Sequence, residues 1–142
     1  MEDSKETFID NTILEPALFN FMTDPKNPLY NFILAKSYEE LGHTASAASY
    51  YLRAAEFEPD SLLAYESLLR LSLCLKKQGS RNFTVKGVLL RAISLKPLRP
   101  EAYFLLSRMY EFCQEWQESY TWAVLGEKLF KGYEEKETLR TN

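Results

Sequence analysis

From residue 28 onward, apolar side chains recur at the three- and four-residue spacing of an α-helix, and short polar turns interrupt the pattern. Asn27 and Pro28 are typical of a first helical turn, and Leu41-Gly42 is typical of a helix end. The pattern predicts six helices, at about residues 28–41, 44–58, 62–77, 84–96, 101–113 and 116–131. Because the loops between them are short, we expect three antiparallel helix pairs and an all-α fold.

The first 27 residues follow a different pattern. Residues 1–10 are polar, whereas residues 11–23 carry enough apolar side chains to pack against another element. Pro16 predicts that no single helix crosses this segment, because an internal proline removes a backbone hydrogen bond and clashes with the preceding turn. Two roles remain open for residues 11–23: a cap folded onto the first helix pair, or an arm that docks on another chain.

One set of residues occurs twice, at an offset of 38 residues. The two copies are Arg53, Ala54, Pro59, Ala64 and Tyr65, and then Arg91, Ala92, Pro97, Ala102 and Tyr103. A repeat of this length indicates stacked helical hairpins rather than one closed globule, because each hairpin cannot bury its apolar face alone.

The hairpins resemble tetratricopeptide repeats, whose unit of about 34 residues combines large residues in its first helix with small residues and a closing proline in its second. The matching residues are Leu34, Leu68 and Leu106; Tyr38 and Tyr110; Ala47, Ala54, Ala92 and Gly126; and Pro59 and Pro97. The resemblance implies an α-solenoid of three repeats, residues 28–61, 62–99 and 100–131, with an N-terminal arm or cap at 1–27 and a polar tail at 132–142. The second and third units are also similar to repeat proteins of marine bacteriophages and their hosts.

Little in the sequence points to catalysis. His43 is the one histidine, and Cys74 and Cys113 are the only cysteines, so the chain offers no His/Cys metal site and no nucleophile–base pair of recognisable spacing. The five glycines are isolated, which excludes a glycine-rich phosphate loop. We therefore expect a protein that is not an enzyme and uses no cofactor or metal. No apolar run reaches the ~18 residues of a membrane span, so we expect no membrane partner.

Charge is strongly segregated along the chain. Residues 1–66 carry 12 acidic and 4 basic side chains, whereas residues 67–100 carry 8 basic and no acidic ones. We name four of these cations the basic edge: Lys76, Lys77, Arg81 and Lys86. Because both flanking segments are acidic and aromatic rings do not alternate with the cations, we expect an acidic partner here rather than nucleic acid.

The resemblance also implies a binding groove lined by the first helix of each repeat. Six residues of those helices are candidates for partner binding: Phe32, Lys36, Glu66, Arg70, Phe104 and Arg108. Cations beside aromatic rings suit a peptide that carries carboxylates. The alternative is that Lys36 and Arg108 merely pair with Glu39 and Glu111, three residues further along the same helix.

These observations favour a non-catalytic scaffold that binds another protein or peptide, in the cytoplasm. Two alternatives remain open: a structural or assembly component of a phage particle, located in the virion and associating with itself or with virion proteins, and a non-catalytic repeat partner of a glycosyltransferase. The chain has only two cysteines and both lie in predicted helices, which indicates a reducing compartment.

Overall fold

The computed structural model describes the backbone of residues 2–141 and the side chains of residues 13–132. That part of the chain contains seven α-helices and no strand. The helices are α1 (Glu2–Thr23), α2 (Pro28–Glu40), α3 (Thr44–Phe57), α4 (Leu62–Lys77), α5 (Asn82–Leu95), α6 (Glu101–Phe112) and α7 (Trp116–Thr141). The all-α class and the six predicted helices are confirmed, with α7 continuing past its predicted end. The side chains beyond residue 132, in the predicted polar tail, lie outside those described.

The first helix corrects one prediction. α1 runs continuously through Pro16, which was expected to interrupt it. Two buried side chains, Leu14 and Ala17, lie on either side of the proline and pack with Leu34 of α2. Pro16 itself is exposed, so its ring meets solvent rather than a packed neighbour. Packing on both sides of the proline thus outweighs the missing hydrogen bond, whose cost is about 3 kcal/mol in an unsupported helix.

The predicted start of α2 is confirmed in atomic detail. The Asn27 side chain accepts a hydrogen bond from the backbone N–H of Tyr30 at 3.1 Å, and Pro28 occupies the first turn. Asn31, which departs from the large residue expected at this position, is fully buried. Its side-chain amide donates to the carbonyl oxygens of Pro25 and Asn27 at 2.9 and 2.8 Å, so it fixes the turn before the helix.

Three helices end in the same way. Gly42, Gly79 and Gln114 have φ angles of 79°, 73° and 60°, in the left-handed region. In each turn the next residue donates its N–H to a carbonyl five residues back: His43 to Tyr38, Ser80 to Leu75, and Glu115 to Tyr110. A common turn therefore follows α2, α4 and α6, which is the regularity expected of a repeated hairpin.

The chain divides into two compact units, Met1–Ser80 and Arg81–Asn142. In the first unit, α2 and α3 form an antiparallel hairpin, α1 packs on α2, and α4 packs on α3. Fully buried residues fill its core: Leu34, Ala35, Ala47, Tyr51, Ala54, Ala64, Tyr65 and Leu68. The predicted repeat positions of this unit are thus core positions.

In the second unit, α6 packs against both α5 and α7. The core is formed by Val85, Leu89, Ala92, Ala102, Leu106 and Met109. Gly126 of α7 allows the close helix approach that its position predicted. A Cβ atom placed there would lie 3.0 Å from the Phe104 ring and 3.1 Å from Tyr103 Cβ. On the next turn, Ser107 donates to the Ser119 carbonyl at 2.7 Å and ties the same two helices together.

Candidate partner-binding surface

The six candidate groove residues form three pairs with a spacing of four residues, so each pair shares one face of its helix. Phe32 and Lys36 lie on α2, Glu66 and Arg70 on α4, and Phe104 and Arg108 on α6. The first two pairs belong to one unit and the third to the other. Lys36, Glu66, Phe104 and Arg108 are exposed, Arg70 is partly exposed, and Phe32 is half-buried.

In the first unit, a polar network joins three helices. Glu39 of α2 accepts a hydrogen bond from the Tyr51 hydroxyl of α3, and the same carboxylate oxygen lies 3.6 Å from the Arg70 guanidinium of α4. The Phe32 ring packs edge-on against Tyr51, with 5.6 Å between ring centroids. Glu39 therefore links Arg70 to the buried Tyr51, while 42% of the Arg70 side chain remains exposed.

The network perturbs the tyrosine strongly. Burial raises the pKa of Tyr51 far above its usual value, and the hydrogen bond to Glu39 raises this pKa further. Burial also raises the pKa of the Cys74 thiol, one turn beyond Arg70. Tyr51 thus remains a neutral donor, which keeps the Glu39 carboxylate oriented towards Arg70.

Stability should depend on Tyr51 in alkaline solution. Unfolded tyrosine loses its proton near pH 10, whereas folded Tyr51 holds it to higher pH, so its contribution is complete below about pH 10 and is lost as the pH rises. We expect this one group to lower the free energy of unfolding by about 1.4 kcal/mol per pH unit above that point. Urea unfolding of wild type and Tyr51→Phe between roughly pH 9 and 11.5 should show the steeper decline in wild type. Parallel declines would contradict the assignment.

The alternative of pairing within one helix does not occur. Glu39 is engaged by Arg70 and Tyr51 rather than by Lys36. Among the side chains of residues 13–132, neither Lys36 nor Arg108 forms an ion pair, and Glu111 pairs with neither of them. Two of the three candidate cations are therefore available at the surface.

The basic edge is divided between the units. Lys76 and Lys77 occupy the last turn of α4, whereas Arg81 and Lys86 lie at the start of α5. Lys86 is half-buried: its ammonium lies 3.3 Å from Glu115 and 4.2 Å from the centre of the Tyr110 ring. Lys86 thus fastens α5 to the α6–α7 turn, a structural role that its place in a basic stretch did not reveal.

Within residues 13–132, no three His, Cys, Asp or Glu side chains gather where they could hold a metal ion. No helix in the described part of the chain combines the length and apolar character needed to cross a bilayer.

These elements define a class: an all-α, helical-repeat protein with a fold of the tetratricopeptide type. The chain matches no protein-family model and no curated protein. Its similarity is to solved structures of MamA, a protein of this helical type. One MamA crystal structure superposes with a TM-score of 0.79 at 16% identity, over 89% of this chain and 71% of that one.

Two further MamA structures agree. One, of MamA MSR-1, gives a TM-score of 0.72 at 18% identity over 92% of this chain and 72% of that one. Another gives 0.75 at 16% identity, over 86% and 64%. At such identities the likeness shows the fold alone, and it confirms the predicted α-solenoid class.

Proposed function

We propose that this protein is a non-catalytic interaction module that binds acidic segments of another protein through the exposed faces of α2 and α4 in the first unit and of α6 in the second. Each face carries a cation, Lys36, Arg70 or Arg108, and two of the three have an aromatic ring one turn earlier. Carboxylates of a partner would pair with the cations while its apolar groups pack beside the rings.

The observation that carries this proposal is that the cations remain available. A surface lysine or arginine with a nearby glutamate usually forms a weak pair worth ~0.2–0.5 kcal/mol. Here Glu39 instead forms its ion pair with Arg70, and neither Lys36 nor Arg108 is paired among residues 13–132. An arginine that is oriented by a buried network and still accessible loses less conformational freedom when it binds a carboxylate.

A peptide-library selection on the full chain tests the proposal. We expect the selected peptides to be enriched in Asp and Glu. We expect Lys36→Glu and Arg108→Glu each to weaken the best peptide by about fivefold or more in titration calorimetry. Arg70 is better changed to Gln, because a glutamate there would face Glu39 and destabilise the fold. Lys128→Glu, on the exposed face of α7, is the matched control.

Selected peptides without acidic enrichment, or peptides that bind the Lys36, Arg70 and Arg108 variants as tightly as wild type, would refute the proposal. A peptide weakened equally by Lys128→Glu would indicate general charge attraction instead of a defined surface.

The basic edge supports a second contact with the same acidic partner. Lys77 and Arg81 are exposed, whereas Lys86 is committed to Glu115 and Tyr110. The contribution of this edge to binding therefore rests on Lys77 and Arg81 rather than on Lys86. The thiols of Cys74 and Cys113 are both free, which supports a cytoplasmic location.

The two alternative functions gain no support. None of the solved structures named above is described as a phage component or as part of a sugar-transfer system. The resemblance to phage repeat proteins therefore rests on the residue pattern of the sequence alone.

A further inference from the structure

The last hairpin, formed by α6 and α7, carries three exposed aromatic residues that are not among the candidate groove residues. Phe112 ends α6, and Trp116 and Tyr120 lie on the first turns of α7. Their exposed fractions are 67%, 63% and 72%. Tryptophan and tyrosine rings left this open are uncommon on a surface with no partner, and these residue types dominate the energetics of protein interfaces.

Contacts between α6 and α7 show that these rings belong to one face. On one side of the hairpin, Tyr103 of α6 packs against Trp122 of α7, with 5.8 Å between ring centroids. Ser107 meets Ser119 along the line where the helices touch. The positions on the opposite side are therefore Phe104, Arg108 and Phe112 of α6, four residues apart, with Trp116 and Tyr120 of α7 beside them.

The same face points away from α5. Lys86 of α5 lies over Tyr110, and Tyr110 is on the side of α6 opposite to the stripe that contains Arg108. We call this surface the end face, defined by Phe104, Arg108, Phe112, Trp116 and Tyr120. It combines four aromatic rings with one cation, and that cation forms no ion pair among residues 13–132.

The first hairpin shows how this protein covers a comparable surface. There α4 packs on α3 and also contacts α2, and its Arg70 lies 3.6 Å from Glu39 of α2. This is the side of α2 that carries Phe32, the repeat equivalent of Phe104, and it is opposite to the side that α1 covers at Leu34. A helix thus completes the first hairpin on this side, whereas the Trp116 and Tyr120 rings on the equivalent side of the last hairpin remain exposed.

We propose that the end face binds an amphipathic helix of a partner protein, with apolar residues on the rings and a carboxylate on Arg108. Helix recognition of this kind uses anchors at every third or fourth position, which matches the spacing of the rings on α6 and α7. The charge is complementary, because a lone cation among aromatic rings favours one acidic residue within an otherwise apolar helix face. The proposal shares Phe104 and Arg108 with the proposed function and extends it by naming the kind of partner and three new contact residues.

The test uses the full chain with Trp122→Phe, so that Trp116 alone reports by fluorescence. The probes are two blocked helical peptides with a leucine face, one with a glutamate and the other with a lysine at its centre. We expect the glutamate peptide to shift Trp116 emission to the blue and to bind about tenfold more tightly than the lysine peptide. Tyr120→Ala should weaken it by about tenfold or more, and Trp116→Ala should do so when binding is followed by calorimetry.

Two control variants lie outside the end face. Phe83→Ala removes an exposed ring and should leave binding unchanged. Lys128→Glu reverses an exposed charge on α7 and should also leave binding unchanged. If library selection fails but Tyr120→Ala weakens the helix, the proposed function is wrong and the end face stands.

Several outcomes would overturn the end face as a helix-binding site. These are equal affinity for the two peptides, no binding of either, no effect of Trp116→Ala and Tyr120→Ala, or an equal effect of Lys128→Glu. A wild-type dimer that becomes monomeric on Tyr120→Ala would assign the face to a second copy of this chain instead.

Discussion

Replacing Tyr51 by alanine is expected to lower the free energy of unfolding by about 3–5 kcal/mol, the usual cost of removing a buried aromatic side chain. Tyr51 is fully buried, its ring contacts Phe32, and its hydroxyl holds Glu39. The variant would leave a cavity in the core that the surrounding side chains fill only in part. Urea or thermal unfolding followed by circular dichroism would measure the loss.

Tyr51→Phe is the matched control, because it keeps the ring and removes only the hydroxyl. It should cost about 1–2 kcal/mol, since Glu39 retains Arg70 as a partner. A loss as large as that of Tyr51→Ala would mean that the polar network, rather than the packing of the ring, accounts for the stability.

Replacing Ala17 by aspartate should release α1 from the first hairpin and lower the free energy of unfolding by about 2–4 kcal/mol. Ala17 is buried against α2 in a cluster of apolar and tyrosine side chains. The helix can swing away to hydrate the charge, so the loss is limited to what the α1 contacts contribute, chiefly the burial of Leu14.

Phe19→Asp introduces the same charge on the same helix at an exposed position and should change stability by less than about 0.5 kcal/mol. Chemical denaturation of both variants gives the comparison. If Ala17→Asp is as stable as Phe19→Asp, α1 contributes nothing as a cap, and the role of an arm that docks on another chain becomes the better interpretation.

Local signals in the sequence were sufficient for most of the fold. The Asn27-Pro28 start, the Leu41-Gly42 end and the closing Gly79 are each set by a few adjacent residues, so they could be identified without tertiary information. The leucine column at 34, 68 and 106 was identified from the repeat and is fully buried. Repetition makes core positions predictable, because equivalent residues of each hairpin are buried in the same way.

Features that depend on distant contacts could not be predicted. Pro16 was expected to break α1. The helix continues because it packs against α2, whose contacting residues lie about 20 positions further along the sequence. Pairing of Glu39 with Lys36 was left open as an alternative, yet the partners of Glu39 are Tyr51 and Arg70 from two other helices. Periodicity fixes which residues share one helix face, but it does not fix which neighbouring helix that face meets.

Part of the candidate site could be predicted from the sequence and part could not. The cations at positions 36, 70 and 108 followed from the repeat alignment. Trp116 and Tyr120 were missed because both fall where a third unit should carry ordinary second-helix residues. Their spacing of four residues, next to Phe112, was a signal that could have been noticed, since three large aromatic residues within residues 112–120 exceed what one short helix pair can bury.

The shared left-handed turn at Gly42, Gly79 and Gln114 has a consequence for how such a chain can change in length. Because the backbone leaves α2, α4 and α6 along the same path, duplication or excision between two of these points would rejoin equivalent geometries. The gene could therefore gain or lose whole hairpins through unequal recombination, and no new loop conformation would be needed. Gln114 is the position where this interchangeability is least complete, since a side chain there bears strain that glycine avoids.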